Sequence, residues 1–293
     1  MASADLLATT QEKALHRKLS LMMFLQIFIW GAWFELGFDY IPSLGFSSGQ
    51  NTWIFGAFNI GALVALFFST QFADRKFAAE KFLCVSHVIG GAAILGLFFI
   101  HPGPDGKAEF WPFFLLMLTH SIFYVPTISI TNSIAFANLK NPAREFGPVR
   151  VWGTIGWIVA SWPFIFILVD WQKVPGMGDV GFVKWIESAL GTSKTGAEAS
   201  AAQRYIFLVA GLASFVLAAI SPMLPHTPPK PAGAGESSFA WLKAAKLLKH
   251  PFVAVLFLVT FIDAAVHQSF FYWTATFLKS DVGIPANWVT PVM

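Results

Sequence analysis

The sequence predicts an all-α polytopic membrane protein, because its composition is apolar, its apolar runs are long and they lack strand-like alternation. Of its 293 residues, 56% are hydrophobic and 12% are charged, against about 25% charged residues in an ordinary soluble domain. A helix needs about 20 apolar residues to cross a hydrocarbon layer of about 30 Å. Since the backbone must satisfy its own hydrogen bonds in lipid, such runs are predicted to be helices.

Seven runs of this length are present, and each is predicted to form one transmembrane helix. They cover residues 19–41, 53–73, 82–100, 111–137, 151–169, 205–224 and 252–277. The first run follows basic residues, as a secretory signal does, but it exceeds the roughly 7 to 15 apolar residues of a signal core. We therefore expect it to be retained. The single cysteine, Cys84, excludes an intramolecular disulfide.

Positive charges predict the orientation of these helices. Most of the 19 Lys and Arg residues fall before the first run and in every second connection after it. By the positive-inside rule this bias predicts a cytoplasmic N-terminus and an external C-terminus. The sequence pI of about 9.0 follows from the same bias, so it does not indicate a nucleic-acid partner.

The connections divide the chain into three predicted regions. Residues 1–224 form a six-helix lobe, residues 225–250 a cytoplasmic linker, and residues 251–293 the first helix and the start of the second helix of another lobe. The linker begins with the Pro/Gly-rich HTPPKPAGAGESS and continues as FAWLKAAKLLKH, a basic amphipathic pattern typical of a surface helix. The outer connection, 171–203, contains a WIESAL patch that predicts a short interfacial helix. The connection as a whole is interpreted as a lid or a spacer.

This organisation is typical of a transporter built from two six-helix halves. The second half is missing here after its first helix, and residues 284–293 resemble the entry to an eighth helix. As written, the chain is expected to be incompetent for transport unless another polypeptide supplies the remaining helices.

Two helical faces carry residues suited to a polar substrate. Arg150, Thr154 and Trp157 recur at i, i+4 and i+7 in the fifth run, so a guanidinium, a hydroxyl and an indole share one face. Gln26 and Trp30 have the same i, i+4 spacing in the first run. A solute with hydroxyls and a flat ring suits these groups, and helix packing is the alternative interpretation of both faces.

Four ionisable residues inside predicted helices are candidates for proton coupling. Glu35 and Asp39 are one turn apart near the outer mouth, where neighbouring carboxylates raise each other's proton affinity; solvated residues at a helix end are the alternative. Asp263 and His267 are also one turn apart, in the seventh run. They are interpreted as a proton relay or as a structural hydrogen-bonded pair.

The sequence carries no enzymatic motif in the structural context that the motif requires. It has no HExxH, paired CxxC or Walker loop, and no GxGxxG opening a helix after a strand; GFSSG at 45–49 matches the letters of GxSxG but follows an apolar helical run rather than a strand. We therefore predict no enzyme, no cofactor and no metal. The seventh run also lacks the mid-membrane lysine of a retinal protein.

Several separated motifs resemble the nucleoside:proton symporter family of the major facilitator superfamily. They are FLQIFIWGAW at 24–33, FADRKFAAEKFLCVSHVIGG at 72–91, NSIAFANL followed by PVRVWGTIGW at 148–157, LPHTP after the sixth run and QSFFYWTATFLKS in the seventh. The resemblance covers nearly all of the chain except the outer connection. It implies proton-driven uptake of nucleosides across a bacterial inner membrane, with the lipid bilayer, a nucleoside and a proton as partners.

The resemblance also assigns individual residues. It implies that Gln268 binds substrate, together with Gln26, Trp30 and the Arg150 face, and that Asp74 and Arg75 belong to a gating loop between the second and third helices. Phe271 departs from the family pattern, which has a polar residue there. A sugar or another polar solute remains an alternative substrate, and a non-transporting membrane fragment or scaffold remains the alternative of another class.

Overall fold

The computed structural model describes residues 2–68, 77–229 and 246–293, and this part of the chain is almost wholly helical. Its α-helices, in chain order, are α1 Ala2–Ser43, α2 Ser48–Phe68, α3 Ala79–Leu97, α4 Phe110–Asn138, α5 Pro142–Ala160, α6 Trp162–Ile167, α7 Met177–Val180, α8 Phe182–Gly191, α9 Gly196–Gln203, α10 Tyr205–Ile220, α11 Pro251–Ser280 and α12 Ala286–Val292. Short 3-10 turns follow at Ser221–Met223 and Lys246–Lys249.

Six helical stretches of the described residues are long and apolar enough to cross a membrane. They are Thr10–Ser43, Ala79–Leu97, Phe110–Asn138, Pro142–Ile167, Gly196–Met223 and Pro251–Ser280. They correspond to six of the seven predicted runs. The second run corresponds to α2, a 21-residue helix that is not among the six stretches, and the rest of that run lies outside the described residues. The all-α polytopic membrane fold is confirmed.

The prediction was wrong about where the fifth helix begins. The apolar run started after Arg150, but α5 begins at Pro142, because proline is well suited to the first turn of a helix. Arg150 therefore lies about two turns inside the helix rather than at its end. α5 ends at Ala160, and α6, with Pro163 in its first turn, completes the span.

Close helix crossings build the bundle. α1 packs against α5 and α10, while α4 packs against α2 and α3, and α3 packs against α10. At two of these crossings a glycine is required: a Cβ on Gly156 would lie 2.2 Å from the Phe24 carbonyl oxygen of α1, and one on Gly61 would lie 2.7 Å from the Ser121 carbonyl oxygen of α4. Small residues allow this backbone approach, and dispersion contacts then hold the helices together in lipid.

The outer connection folds onto the predicted outer end of the bundle. α8 contains the WIESAL patch, so the predicted short helix is confirmed. Lys194 Nζ donates to the carbonyl oxygens of Ile167 and Val169, each at 2.9 Å. The side chains of Asn287 and Trp288, in α12, donate to the Leu190 carbonyl oxygen at 3.1 and 2.8 Å. The connection thus joins the lobe to the segment after α11, and its role as lid or spacer stays a prediction.

The start of the predicted linker is anchored at the predicted inner end. The Glu80 carboxylate, 5% exposed, accepts hydrogen bonds from the Thr227 backbone N–H at 3.0 Å and from His226 Nδ1 at 2.8 Å. Asn138 Nδ2 donates to Thr227 Oγ1 at 2.9 Å. These bonds fix the chain after α10 to α3 and α4. Residues 230–245, with much of the predicted surface helix, lie outside the described residues, and the three-region division stays a prediction.

Candidate substrate site

An aromatic cluster lies where α1, α5 and α11 meet. The rings of Trp30 and Trp157 are 5.4 Å apart, edge to face, and Phe58 of α2 stacks on Trp30 at 5.0 Å. Phe271 of α11 contacts both Phe34 and Trp157 at 5.7 Å and is 6% exposed. Apolar π faces of this kind suit a flat, partly apolar ligand. Phe271 is the residue that departs from the family pattern, and its contacts with Phe34 and Trp157 hold α11 against α1 and α5.

A cavity of about 630 Å³ adjoins this cluster between α1, α2 and α11. Trp33 and Phe34 form part of its apolar wall, and the amide side chains of Asn51, Asn59 and Gln268 supply polar groups. Pockets for small ligands typically measure about 300 to 1,000 Å³ and combine apolar walls with a few polar groups. Gln268 thus faces a space of ligand size.

Arg150 and Thr154 lie on the predicted inner side of the cluster. The Arg150 side chain is half-buried, it makes no hydrogen bond or ion pair within the described ranges, and its guanidinium lies within electrostatic reach of the Tyr124 hydroxyl. Thr154, one turn further along α5, is exposed. A cation at membrane depth is costly unless it finds a partner. This arrangement leaves the Arg150 donors available to a ligand.

Gln26 lies in a hydrogen-bond network that joins four helices. Its side chain is 1% exposed; its Nε2 donates to Thr127 Oγ1 at 2.9 Å, and its Oε1 accepts from His87 Nε2 at 3.1 Å. His87 Nδ1 lies 2.9 Å from Ser214 Oγ, and the Tyr124 hydroxyl donates to the Gln26 backbone oxygen. Both ends of the Gln26 amide are therefore engaged by the protein. Its contact with substrate stays a prediction.

We expect Gln26→Ala to lower the free energy of unfolding by about 1–3 kcal/mol, because buried donors and acceptors on His87 and Thr127 lose their partner. The measurement is thermal unfolding of the purified chain in detergent, without ligand. Gln268→Ala is the matched control, since the Gln268 side chain is exposed. An unchanged melting temperature for Gln26→Ala would contradict the structural role of this network.

The two carboxylates of α1 do not face each other. Glu35 is 5% exposed, and the indole of Trp157 lies within hydrogen-bonding reach of its carboxylate. Asp39 accepts hydrogen bonds from Lys279, at the end of α11, and from Gln203 of α9. Glu35 therefore belongs to the candidate site, whereas Asp39 ties α1 to α11 at the predicted outer end.

The other proposed pair, Asp263 and His267, lies on the exposed surface of α11. No hydrogen bond joins the two side chains in this described helix, and the His267 ring packs against Phe271 at 4.7 Å. Asp74 and Arg75, the predicted gating loop, lie outside the described residues. The gating role of Asp74 and Arg75 and the proton-coupling role of Asp263 and His267 stay predictions.

Sequence reasoning missed Asn51 and Asn59 as cavity residues. The available signal was that Asn59 interrupts an otherwise apolar run. Sequence reasoning also could not identify the buried polar atoms that lack a partner in the described residues, which include Trp30 Nε1, Trp33 Nε1 and His120 Nε2. The other His120 nitrogen, Nδ1, donates to the Gly90 carbonyl oxygen at 3.0 Å, so Nε2 is an acceptor close to the Trp33 ring.

The helix arrangement defines a multi-pass membrane protein of the major facilitator type. A crystal structure of the nucleoside transporter NupG (D323A mutant) superposes with a TM-score of 0.69 at 22% identity, over 95% of this chain and 63% of that chain. An inward-facing, unoccupied bacterial homologue of the human lysosomal transporter Spinster gives a TM-score of 0.66 at 17% identity, over 96% of this chain and 58% of that chain. At these identities the likeness concerns the fold.

The family model described as Nucleoside H+ symporter matches residues 13–177 and 167–293, and the chain belongs to that family.

Curated relatives from Escherichia coli (strain K12) agree with this assignment. YegT is 32% identical over 93% of this chain and 57% of its own length. A xanthosine permease is 29% identical over 86% of this chain and 53% of its own length, and the nucleoside permease NupG is 26% identical over 91% and 56%. The chain thus spans somewhat more than half the length of these relatives. The resemblance predicted from the motifs is confirmed.

Proposed function

We propose that the protein containing this chain carries a nucleoside together with a proton across a bacterial inner membrane. The observation that carries this proposal is the arrangement at the meeting of α1, α5 and α11. Arg150 makes no hydrogen bond or ion pair among the described residues, its guanidinium lies within electrostatic reach of Tyr124, and the aromatic cluster adjoins a ligand-sized cavity. The family and the names of its permease members support the same substrate class.

Each part of a nucleoside has a chemically suitable partner in this arrangement. The base is flat and suits the rings of Trp30 and Trp157. The ribose hydroxyls and the polar base edge suit the donors of Arg150, the hydroxyl of Thr154 and the amide of Gln268, which both donates and accepts. Gln26 is proposed to hold α1 in place through its buried hydrogen bonds.

Glu35 is the proposed proton-coupling residue. Its carboxylate is buried at the candidate site and shares the Trp157 indole with the proposed substrate contacts, whereas Asp39 already has a cationic partner in Lys279. Protonation of Glu35 changes the charge beside the substrate and thereby biases one conformation over another, provided that the two conformations hold the proton with different affinity. The Asp39–Lys279 ion pair would hold the predicted outer end closed in the conformation described here.

The proposed orientation follows the charge pattern. The N-terminus lies in the cytoplasm, and the α1–α2 turn and the outer connection lie on the opposite side. The ends of α3, α4 and α10 that surround Thr227 then lie at the cytoplasmic surface. This places the basic segments on the side that the positive-inside rule requires.

The experiment that tests the proposed function is uptake of labelled uridine and adenosine into cells that express the complete reading frame, with and without a protonophore. We expect uptake that the protonophore abolishes, and in Glu35→Gln a rate about tenfold lower or more that no longer responds to the pH gradient. Glu187→Gln, an exposed carboxylate of α8, is the matched control and should behave as the wild type. Uptake of sugars but not nucleosides would overturn the substrate class, and protonophore-resistant nucleoside uptake would overturn the coupling.

A further inference from the structure

A second groove runs along the seam between α1 and α5, near the predicted inner end. Its volume is about 550 Å³. The side chains that define it are His16, Arg17, Leu21 and Phe24 of α1 with Pro148 and Trp152 of α5. It combines a mostly apolar wall with basic residues at one end, and no residue of the candidate substrate site lines it.

The groove faces away from the substrate site. Leu21 precedes Trp30 by nine positions on α1, and at about 100° per residue the two side chains lie on opposite sides of the helix. The Trp30 side faces α2 and the aromatic cluster with Phe271 of α11. Trp152, 45% exposed, precedes Trp157 by five positions on α5 and turns away from the cluster as well. This surface therefore lies on the side of two predicted spans that is turned away from the substrate site, and its apolar side chains Leu21 and Trp152 are exposed there.

One cation at the basic end is free to bind a ligand. The ring of His16 is hydrogen-bonded to the Glu145 carboxylate at 3.1 Å, and Glu12 is paired with Lys140 at 2.8 Å. These neighbouring charges are satisfied within the protein. Arg17 lines the groove, is exposed, and makes no hydrogen bond or ion pair in the described part of the chain.

We propose that this groove binds an anionic phospholipid, with an acyl chain along Leu21, Phe24 and Trp152 and the phosphate at the Arg17 guanidinium. A guanidinium binds phosphate oxygens with two parallel hydrogen bonds, and basic pockets beside transmembrane helices on the cytoplasmic side suit anionic headgroups. Along the groove the Arg17 charge is followed by the apolar surface of Leu21, Phe24 and Trp152, as the headgroup of a lipid is followed by its acyl chain. The site is independent of the solute that the protein carries.

The test uses the full chain, purified and reconstituted in phosphatidylcholine nanodiscs, titrated with phosphatidylglycerol and followed by native mass spectrometry. We expect saturable retention of phosphatidylglycerol, and in Arg17→Gln an affinity about fivefold lower, the effect of one cation near a membrane surface. Lys81→Gln removes one exposed charge at the start of α3 and should bind as the wild type. Because Arg17 makes no hydrogen bond or ion pair with the residues that the structure describes, its substitution should leave the helical circular dichroism signal unchanged.

A second pair of variants tests the acyl chain. Trp152→Ala should lower the retention of phosphatidylglycerol, whereas Trp162→Ala, 53% exposed and outside the groove, should not. Glycerol phosphate, which has the headgroup chemistry without chains, should not compete. Equal retention of phosphatidylcholine, equal losses in Arg17→Gln and Lys81→Gln, or full competition by glycerol phosphate would each overturn the proposal.

Discussion

Replacing Arg150 by glutamine should lower nucleoside uptake roughly 10- to 150-fold. A hydrogen bond to a charged group contributes about 1.5–3 kcal/mol, and each 1.4 kcal/mol is about a factor of ten in binding. Arg150 has no competing partner among the described residues, so its donors are free for the ligand. The measurement is initial uptake of labelled uridine at a concentration below half-saturation, normalised to protein in the membrane.

Two further variants make the Arg150 result specific. Arg144→Gln removes an exposed cation from the first turn of the same helix, α5, and should leave uptake unchanged. Arg150→Lys keeps the charge but loses the planar fork of donors, so we expect an intermediate rate. If Arg150→Gln transports at the wild-type rate, Arg150 does not bind the substrate, and the proposed site is wrong.

Replacing Gly156 by alanine should greatly lower the yield and stability of the folded chain. The added Cβ would lie 2.2 Å from the carbonyl oxygen and 3.0 Å from the carbonyl carbon of Phe24, and these are backbone atoms that cannot rotate away. α1 and α5 must then move apart, and most of the contacts between them are lost. We therefore expect the free energy of unfolding to fall by about 3 kcal/mol or more. The measurement is thermal unfolding of the purified chain, followed by circular dichroism.

A second glycine of the same helix provides the control. A Cβ on Gly147 would meet no atom within 4 Å, so Gly147→Ala should be neutral or should stabilise the chain by up to about 1 kcal/mol through its helix propensity. Equal stability of Gly156→Ala and the wild type would show that the α1–α5 seam is not as close as described. Aggregation of both variants alike would point instead to a general sensitivity of α5.

The membrane helices and the family could be predicted from the sequence because both signals are local. An apolar run long enough to cross the bilayer must be helical in lipid, whatever it packs against. The stripe of Arg150, Thr154 and Trp157 follows from helical geometry alone. The error at the start of α5 has a local cause too: a charged residue ends an apolar run, but it does not end a helix that proline has started.

The tertiary structure decided which partner each polar residue has. In the sequence, Gln26 and Arg150 are both polar residues in apolar helices. In the structure the Gln26 amide is hydrogen-bonded to His87 and Thr127, whereas Arg150 makes no such bond with any described residue. Glu35 and Asp39 are one turn apart, yet one lies beside Trp157 and the other binds Lys279, 240 positions away. Lipid enforces backbone hydrogen bonding within each helix, so the helices are encoded locally. Side-chain partners come from helices far apart in the chain, so they depend on how the whole bundle packs.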